Sequence, residues 1–145
     1  MTAEVLVARL EALDLQNVDF HHREHLEVAF FYLRRDGAEE GTRAMLRAIA
    51  ALASHEGRED KFHATMTVCW IRIIAAAMAE EQDCQTAADL VSRQPMLLDK
   101  ELPLRFYSRE LFFSAEARRR ALDPDLAPLP PMPHSLGNAL SFKLR

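Results

Sequence analysis

The chain has 145 residues, which fits one domain with a single core and leaves room beyond it only for a tail or arm. Hydrophobic residues make up 49% and charged residues 28%, a composition that excludes a disordered or fibrous protein. The formal charge of −4 gives no overall attraction for nucleic acid or for an anionic membrane surface, so neither is an expected partner. Only four glycines are present, which disfavours a turn-rich sandwich or barrel and favours helices.

Cysteine usage and hydropathy bear on the compartment. Cys69 and Cys84 are too few for a disulfide scaffold and favour a reduced, cytoplasmic setting. The N-terminus lacks the basic region and small-residue cleavage site of a signal peptide. Residues 71–79 form the longest apolar stretch, but Arg72 interrupts it and it is far shorter than the roughly 20 residues that cross a bilayer. We therefore expect no membrane segment.

The first 94 residues carry apolar positions at helical spacing, which predicts an all-α fold. The first predicted helix covers residues 2–13, with Thr2 as its N-cap. The second starts behind Asp19 as cap and continues to about residue 35, where Asp36 and Gly37 supply a stop and a turn.

Three more predicted helices complete the bundle. The third spans residues 38–55, and the fourth starts behind Asp60 and runs to about residue 81. A capping box that begins at Thr86 predicts a short helix over residues 86–94. Short connections make neighbouring helices antiparallel, so we expect a compact up-and-down bundle of about four to five main helices.

The C-terminal third is less regular. Short helices are expected there, the last of them capped by Ser114 and ending near residue 122. Five of the seven prolines come after residue 123, which predicts an extended Pro-rich arm rather than a packed element. The domain organisation is therefore predicted as a bundle over residues 1–122 and an arm over residues 123–145.

The histidines are the sequence feature that indicates a functional site. Five of the six lie between residues 21 and 63. The predicted topology places the starts of the second and fourth helices, and the end of the third, at one end of the bundle. That end gathers His21, His22, His25, His55 and His63.

Three of these histidines, His22, His25 and His63, share rows with the apolar residues of their helices and are predicted to point inward. Apolar surroundings and the positive helix ends both disfavour the charged imidazole, so we expect neutral rings. Neutral, converging imidazoles are preferred ligands of divalent transition metals such as zinc, iron, copper or nickel. The trio therefore predicts a mononuclear metal site with positions open to water or substrate.

Four neighbours are candidates for a supporting role around such a metal. A metal-bound histidine usually needs a partner for its second ring nitrogen. The candidates are His21, His55, Glu56 and Asp60. The alternative is that all these histidines cap helix ends, bond backbone carbonyls and line an ordinary polar mouth.

A binding pocket is predicted below the histidines. If the bundle leaves a cavity there, its walls suit a small, largely apolar organic molecule, with a threonine as hydrogen-bonding group. The candidate wall residues are Phe30, Thr65, Met66, Thr67, Trp70 and Tyr107. The alternative is that they are ordinary core residues.

Three short sequence segments resemble a protein family. Residues 20–26 read Phe-His-His-Arg-Glu-His-Leu, residues 61–65 read Lys-Phe-His-Ala-Thr, and residues 124–130 read Pro-Asp-Leu-Ala-Pro-Leu-Pro. This pattern resembles a family of small bacterial helical proteins over about residues 20–130. The resemblance implies a shared site at His22, His25 and His63 and implies no activity, substrate or cofactor.

Three functions are compatible with the sequence. The first is a mononuclear metalloenzyme that acts on a small, largely apolar organic molecule through His22, His25 and His63. The second is a non-catalytic module that binds a metal or a small ligand. The third is a helical interaction protein with incidental histidines, and an apolar face on the first helix or in the aromatic segment could serve a homodimer.

Overall fold

The structure, a computed structural model, describes residues 2–16 and 20–133. Every regular element in these residues is helical, so the predicted all-α fold is confirmed. The α-helices are α1 (Ala3–Glu11), α2 (His22–Asp36), α3 (Ala38–His55), α4 (Ala64–Glu80), α5 (Ala87–Arg93), α6 (Arg109–Phe112) and α7 (Ala115–Arg119). Three short 3-10 turns lie between them, Glu59–Lys61, Pro95–Leu98 and Leu102–Arg105.

Helices α2 and α4 organise the core. Helix α2 packs against α1, α3, α4 and α5, so its inward face is covered along its length. Helix α4 contacts α2, α3 and α7 and buries eleven of its seventeen residues. The two helices run side by side, which places their first turns at the same end of the bundle.

Helices α2 and α3 form a close hairpin around two glycines. Gly37 joins them with φ +88° and ψ 179°, a backbone conformation that only glycine adopts without strain. Gly41 lies where the helices meet, and a Cβ there would stand 2.7 Å from the Tyr32 carbonyl oxygen and 2.8 Å from the Leu33 Cα. The absence of a side chain at residue 41 therefore allows the two backbones to touch.

Three of the predicted N-caps are confirmed. The side-chain oxygens of Thr2, Thr86 and Ser114 each accept the N–H of the third residue beyond them, at 3.1 to 3.2 Å. Helix α3 also has the predicted bounds. Short-range polar patterns were sufficient for these boundaries.

The starts of α2 and α4 correct two predictions. Asp19, the expected cap of α2, lies outside the described residues, and the N-cap position is taken by His21, so the helix begins at His22. Asp60 does not cap α4, because it lies within a 3-10 turn, and the cap is His63. Its ring Nδ1 accepts the Met66 N–H at 3.0 Å, as a carboxylate or hydroxyl oxygen does elsewhere.

Two helix ends fall short of the predicted ones. Helix α1 ends at Glu11 because Leu13 adopts a left-handed conformation with φ +58°. Helix α7 ends at Arg119, and the chain then becomes extended at Arg120.

The Pro-rich segment is extended but packed, which differs from the predicted free arm. The Leu126 N–H donates to the Phe106 carbonyl at 2.9 Å, and the Arg72 Nε–H donates to the Pro130 carbonyl at 2.9 Å. Leu129 and Met132 pack against the core. Residues 120–133 therefore form part of the bundle surface, while the remainder of the predicted arm, residues 134–145, lies outside the described residues.

Across the described ranges, none of the helices has the length and apolar character required to cross a bilayer.

Candidate ligand pocket

The first turns of α2 and α4 lie beside the Pro95–Leu98 turn and the residues that follow it. His22 links α2 to this segment, because its Nε2 lies 2.8 Å from the Leu97 carbonyl oxygen. A carbonyl can only accept, so Nε2 carries the proton. The same ring meets the Trp70 ring of α4 edge to face, with centroids 4.5 Å apart. His22 therefore connects α2 with the Pro95–Leu98 turn and with α4.

His25 lies one turn further along α2 and has a different environment. Its ring contacts the Phe20 ring at a centroid distance of 4.2 Å. Burial, with the nearby His22 as a second cause, lowers the pKa of His25 to about 4, and Glu24 acts weakly in the opposite direction. The imidazole is therefore neutral at physiological pH, with one ring nitrogen as donor and the other as acceptor.

The ring nitrogens of His25 make no hydrogen bond within the part of the chain that is described. In the same residues, every side-chain nitrogen or oxygen that is completely enclosed has a partner. The residue is half-buried and lines a cavity, so no bond to a described residue competes with a ligand for its ring nitrogens.

His63 is fully engaged. Besides the cap bond through Nδ1, its Nε2–H donates to the Phe112 carbonyl at 2.8 Å, and its ring lies 5.1 Å from the Phe112 ring. Burial lowers its pKa, with the positive charge of Arg118 acting in the same direction and the Phe112 hydrogen bond against it. Both ring nitrogens of His63 are thus bonded to the backbone. This is the alternative to metal binding that the sequence left open, in which a histidine caps a helix end and bonds a carbonyl.

The structure does not bring His22, His25 and His63 together as metal ligands. Within residues 2–16 and 20–133, no three His, Cys, Asp or Glu side chains form a group that could hold a metal ion. His63 has no free lone pair to offer while it caps α4. Metal binding therefore stays a prediction.

The expected supporting residues lie elsewhere around this end of the bundle. His21 and His55 are exposed, and Glu56 is half-buried at the C-cap of α3. Asp60 is exposed, and its main-chain carbonyl accepts a hydrogen bond from Arg118. The partners of the His22 and His63 rings come instead from the main chain of the C-terminal third.

A cavity of about 290 Å³ opens between α2 and α4, beside His22 and His25. Its size is at the lower end of the range for small-molecule sites, which suits a ligand of one or two rings. Six of its wall residues are apolar, Phe20, Leu26, Met45, Met66, Trp70 and Ile74, and four are polar, His22, His25, Thr67 and Lys100.

Three of the six predicted wall residues line this cavity: Met66, Thr67 and Trp70. Phe30 lies instead beside a separate groove between α1, α2 and α5. Thr65 bonds the backbone at residues 120 and 122, and Tyr107 donates its hydroxyl to the Leu122 carbonyl at 2.7 Å. Burial raises the pKa of Tyr107 to about 12, so its hydroxyl stays protonated as a structural donor.

Five wall residues were not predicted for the pocket from the sequence: Phe20, Leu26, Met45, Ile74 and Lys100. Lys100 is the charged one. It is exposed and follows the Pro95–Leu98 turn, where no periodic pattern indicates a direction. The Leu97–His22 hydrogen bond brings this segment to the cavity, and a contact across 75 residues leaves no mark in local spacing.

The wall of the cavity carries a positive charge and no negative one. No Asp or Glu is among the residues that line it, and Lys100 is its one formally charged wall residue. The adjacent carboxylates have other partners: Asp99 accepts the Glu101 N–H at 2.9 Å, and Glu101 pairs with Arg109 at 3.3 Å. The Lys100 ammonium has no ion pair within the described chain.

Comparison of the chain with family models, with curated proteins and with solved structures found no match. The class that fold and geometry define is a small all-helical protein with an apolar, imidazole-lined cavity.

Proposed function

We propose that this protein binds a small, largely apolar organic molecule in the cavity between α2 and α4. The observation that carries the proposal is the imidazole of His25, which lines the cavity and makes no hydrogen bond within the described residues, in a wall that is otherwise mostly aromatic and aliphatic. A polar group with unused hydrogen-bonding capacity, surrounded by apolar surface, is the usual composition of a small-molecule site. The neutral ring can donate to or accept from a ligand without the cost of a buried charge.

The anchoring of the walls supports a formed pocket over a transient gap. His22 is held by Leu97 and Trp70, and Thr67 donates its hydroxyl to the His63 carbonyl at 2.8 Å. These bonds fix the side chains before a ligand arrives, which reduces the entropy lost on binding. The two cysteines are both free and buried, which agrees with a reducing compartment, and a cytoplasmic location is part of the proposal.

The single tryptophan provides the test, because Trp70 lines the cavity. We expect at least one of three one-ring probes, benzyl alcohol, benzamide and benzoate, to change Trp70 emission in a saturable way. At about 100 times its dissociation constant, that probe should raise the free energy of unfolding by about 2.7 kcal/mol. Thermal melts with and without the probe supply the second readout.

A pair of adjacent variants identifies the site. Thr67→Phe adds bulk inside the cavity and should abolish the response. Val68→Phe adds the same bulk on a neighbouring residue that lines a different groove, under the Pro-rich segment, and should leave it unchanged. Circular dichroism confirms that both variants fold.

Two results would overturn the proposal. One is the absence of a saturable response to any probe. The other is a response that Thr67→Phe and Val68→Phe affect equally. Repeating the titration with a chelator separates a directly bound ligand from one held through a metal, since only the second loses affinity.

A further inference from the structure

The charge pattern at the cavity narrows the chemical class of the ligand. Resting on the proposed function above, we infer that the cavity takes an apolar monocarboxylate, with the ring or branched chain against Trp70 and Phe20 and the carboxylate between Lys100 and His25. The inference depends on which polar groups remain available to a ligand.

Thr67 and His22 contribute little donor capacity. The Thr67 hydroxyl proton is used by the His63 carbonyl, so its oxygen can only accept. The Nε2 proton of His22 is used by Leu97. The donors left to a ligand are the His25 ring N–H, the Lys100 ammonium and the Trp70 indole N–H, which makes no hydrogen bond within the described residues.

Among these donors, the Lys100 cation and the neutral His25 ring are suited to a carboxylate. Its two oxygens can accept one bond from each, and a bond between an ammonium and a carboxylate is stronger than one between neutral groups. No acidic side chain lines the cavity to compete for Lys100 or to repel the anion. Glu24, the carboxylate that acts on His25, is not among the wall residues and accepts the His21 N–H at 2.9 Å.

The backbone reinforces this preference. The cavity lies beside the first turns of α2 and α4, helices of 15 and 17 residues, where the positive ends of the helix dipoles favour an anion. The small, largely apolar interior excludes a bulky or multiply charged anion, because most of the wall offers it no hydrogen bond.

The experiment compares three one-ring probes of similar size by calorimetry: benzoate (anionic), benzamide (neutral) and benzylamine (cationic). Wild-type protein should bind benzoate about tenfold more tightly than benzamide, and benzylamine least. Lys100→Gln should weaken benzoate binding by about tenfold and leave benzamide binding unchanged. Lys61→Gln removes a charge from an exposed residue that does not line the cavity and should change neither.

A second variant tests the role of His25. His25→Phe keeps an aromatic ring for the Phe20 contact and removes the donor, so it should reduce the preference for benzoate over benzamide. Inorganic phosphate and acetate should bind more weakly than benzoate, since neither fills the apolar part.

The outcomes separate this inference from the proposed function. Equal binding of benzamide and benzoate, both blocked by Thr67→Phe, overturns the carboxylate class and leaves small-molecule binding intact. Loss of benzoate affinity to the same extent in Lys61→Gln and Lys100→Gln also overturns it, because the effect is then one of net charge. If neither benzoate nor benzamide binds, the carboxylate class is overturned, and if benzyl alcohol does not bind either, the proposed function fails as well.

Discussion

His22, His25 and His63 are the same residue type at one end of a bundle, and their surroundings give them three different roles. His63 uses both nitrogens to join a helix start to Phe112. His22 uses one nitrogen to hold Leu97. His25 uses neither within the described chain, and its ring lines the cavity. Hydrogen-bond partners, more than position in the chain, decide which imidazole is available to a ligand.

At this scale the burial of His25 predicts a pH dependence of stability. In the unfolded chain its pKa is about 6.5, whereas the fold lowers it to about 4. The folded protein therefore binds fewer protons than the unfolded chain between these values, and stability falls as the pH drops through that window. Between pH 7 and pH 5 we expect this residue to account for a loss of about 1 to 2 kcal/mol.

Urea unfolding at the two pH values checks this prediction. His25→Gln removes the titrating group, so its loss of stability on acidification should be smaller than that of wild type. His55→Gln, at an exposed histidine, should behave as wild type does. The same pH slope in all three proteins contradicts the assigned burial.

At the scale of helices, the approach of α2 to α3 sets the width of the bundle. The α2–α3 hairpin is closed by Gly37 and lies in contact at Gly41, so Tyr32 and Leu33 pack directly on the α3 backbone. Helix α2 also contacts α4, and the cavity opens between the first turns of these two helices.

Gly41→Ala tests this contact. Alanine favours a helix by about 1 kcal/mol over glycine, so an unhindered site would gain stability. The added Cβ would instead meet backbone atoms of α2 at 2.7 and 2.8 Å. Since backbone cannot move aside as a flexible side chain can, we expect a net loss of about 2 kcal/mol in chemical unfolding.

The control is Glu39→Ala, at an exposed position two residues earlier on α3, which should change stability by less than about 0.5 kcal/mol. A Gly41→Ala variant more stable than wild type would mean that the two helices do not touch there.

For the whole molecule, the C-terminal third closes the bundle and completes the pocket. Leu97 from a 3-10 turn, Lys100 from the residues that follow it, and Phe112 from α6 lie at the histidine end of α2 and α4. Thr65, fully buried, bonds the extended segment twice: its hydroxyl donates to the Arg120 carbonyl at 2.8 Å and accepts the Leu122 N–H at 3.1 Å.

Thr65→Val keeps the side-chain shape and removes both hydrogen bonds. It leaves a carbonyl and an N–H without partners, so we expect a loss of about 2 kcal/mol and faster proteolysis within residues 120–133. The matched variant is Thr67→Val, whose hydroxyl bonds only the carbonyl one turn earlier in its own helix. That carbonyl already accepts the Thr67 N–H, so the loss should be smaller. Equal losses, with unchanged proteolysis, would mean that Thr65 does not hold the segment.

The sequence by itself determined the helices and much of their order. Thr2, Thr86 and Ser114 cap as predicted, and α3 has its predicted bounds, because helix caps and apolar periodicity depend on residues within one or two turns. The gathering of histidines near the start of α2 and α4 also followed from helix order, since short connections leave few alternatives.

Only the tertiary structure decided what those histidines do. His63 is a cap bonded to a carbonyl 49 residues away, and Lys100 lines the cavity because Leu97 bonds a ring 75 residues earlier. Such contacts form between segments that are far apart in the sequence, so local spacing does not reveal them. A histidine in the same sequence pattern can cap a helix, bond a distant carbonyl or remain available to a ligand. The metal trio that spacing predicts thus depends on partners that spacing cannot reveal, whereas the cavity beside His25 comes from how α2, α4 and the C-terminal third pack.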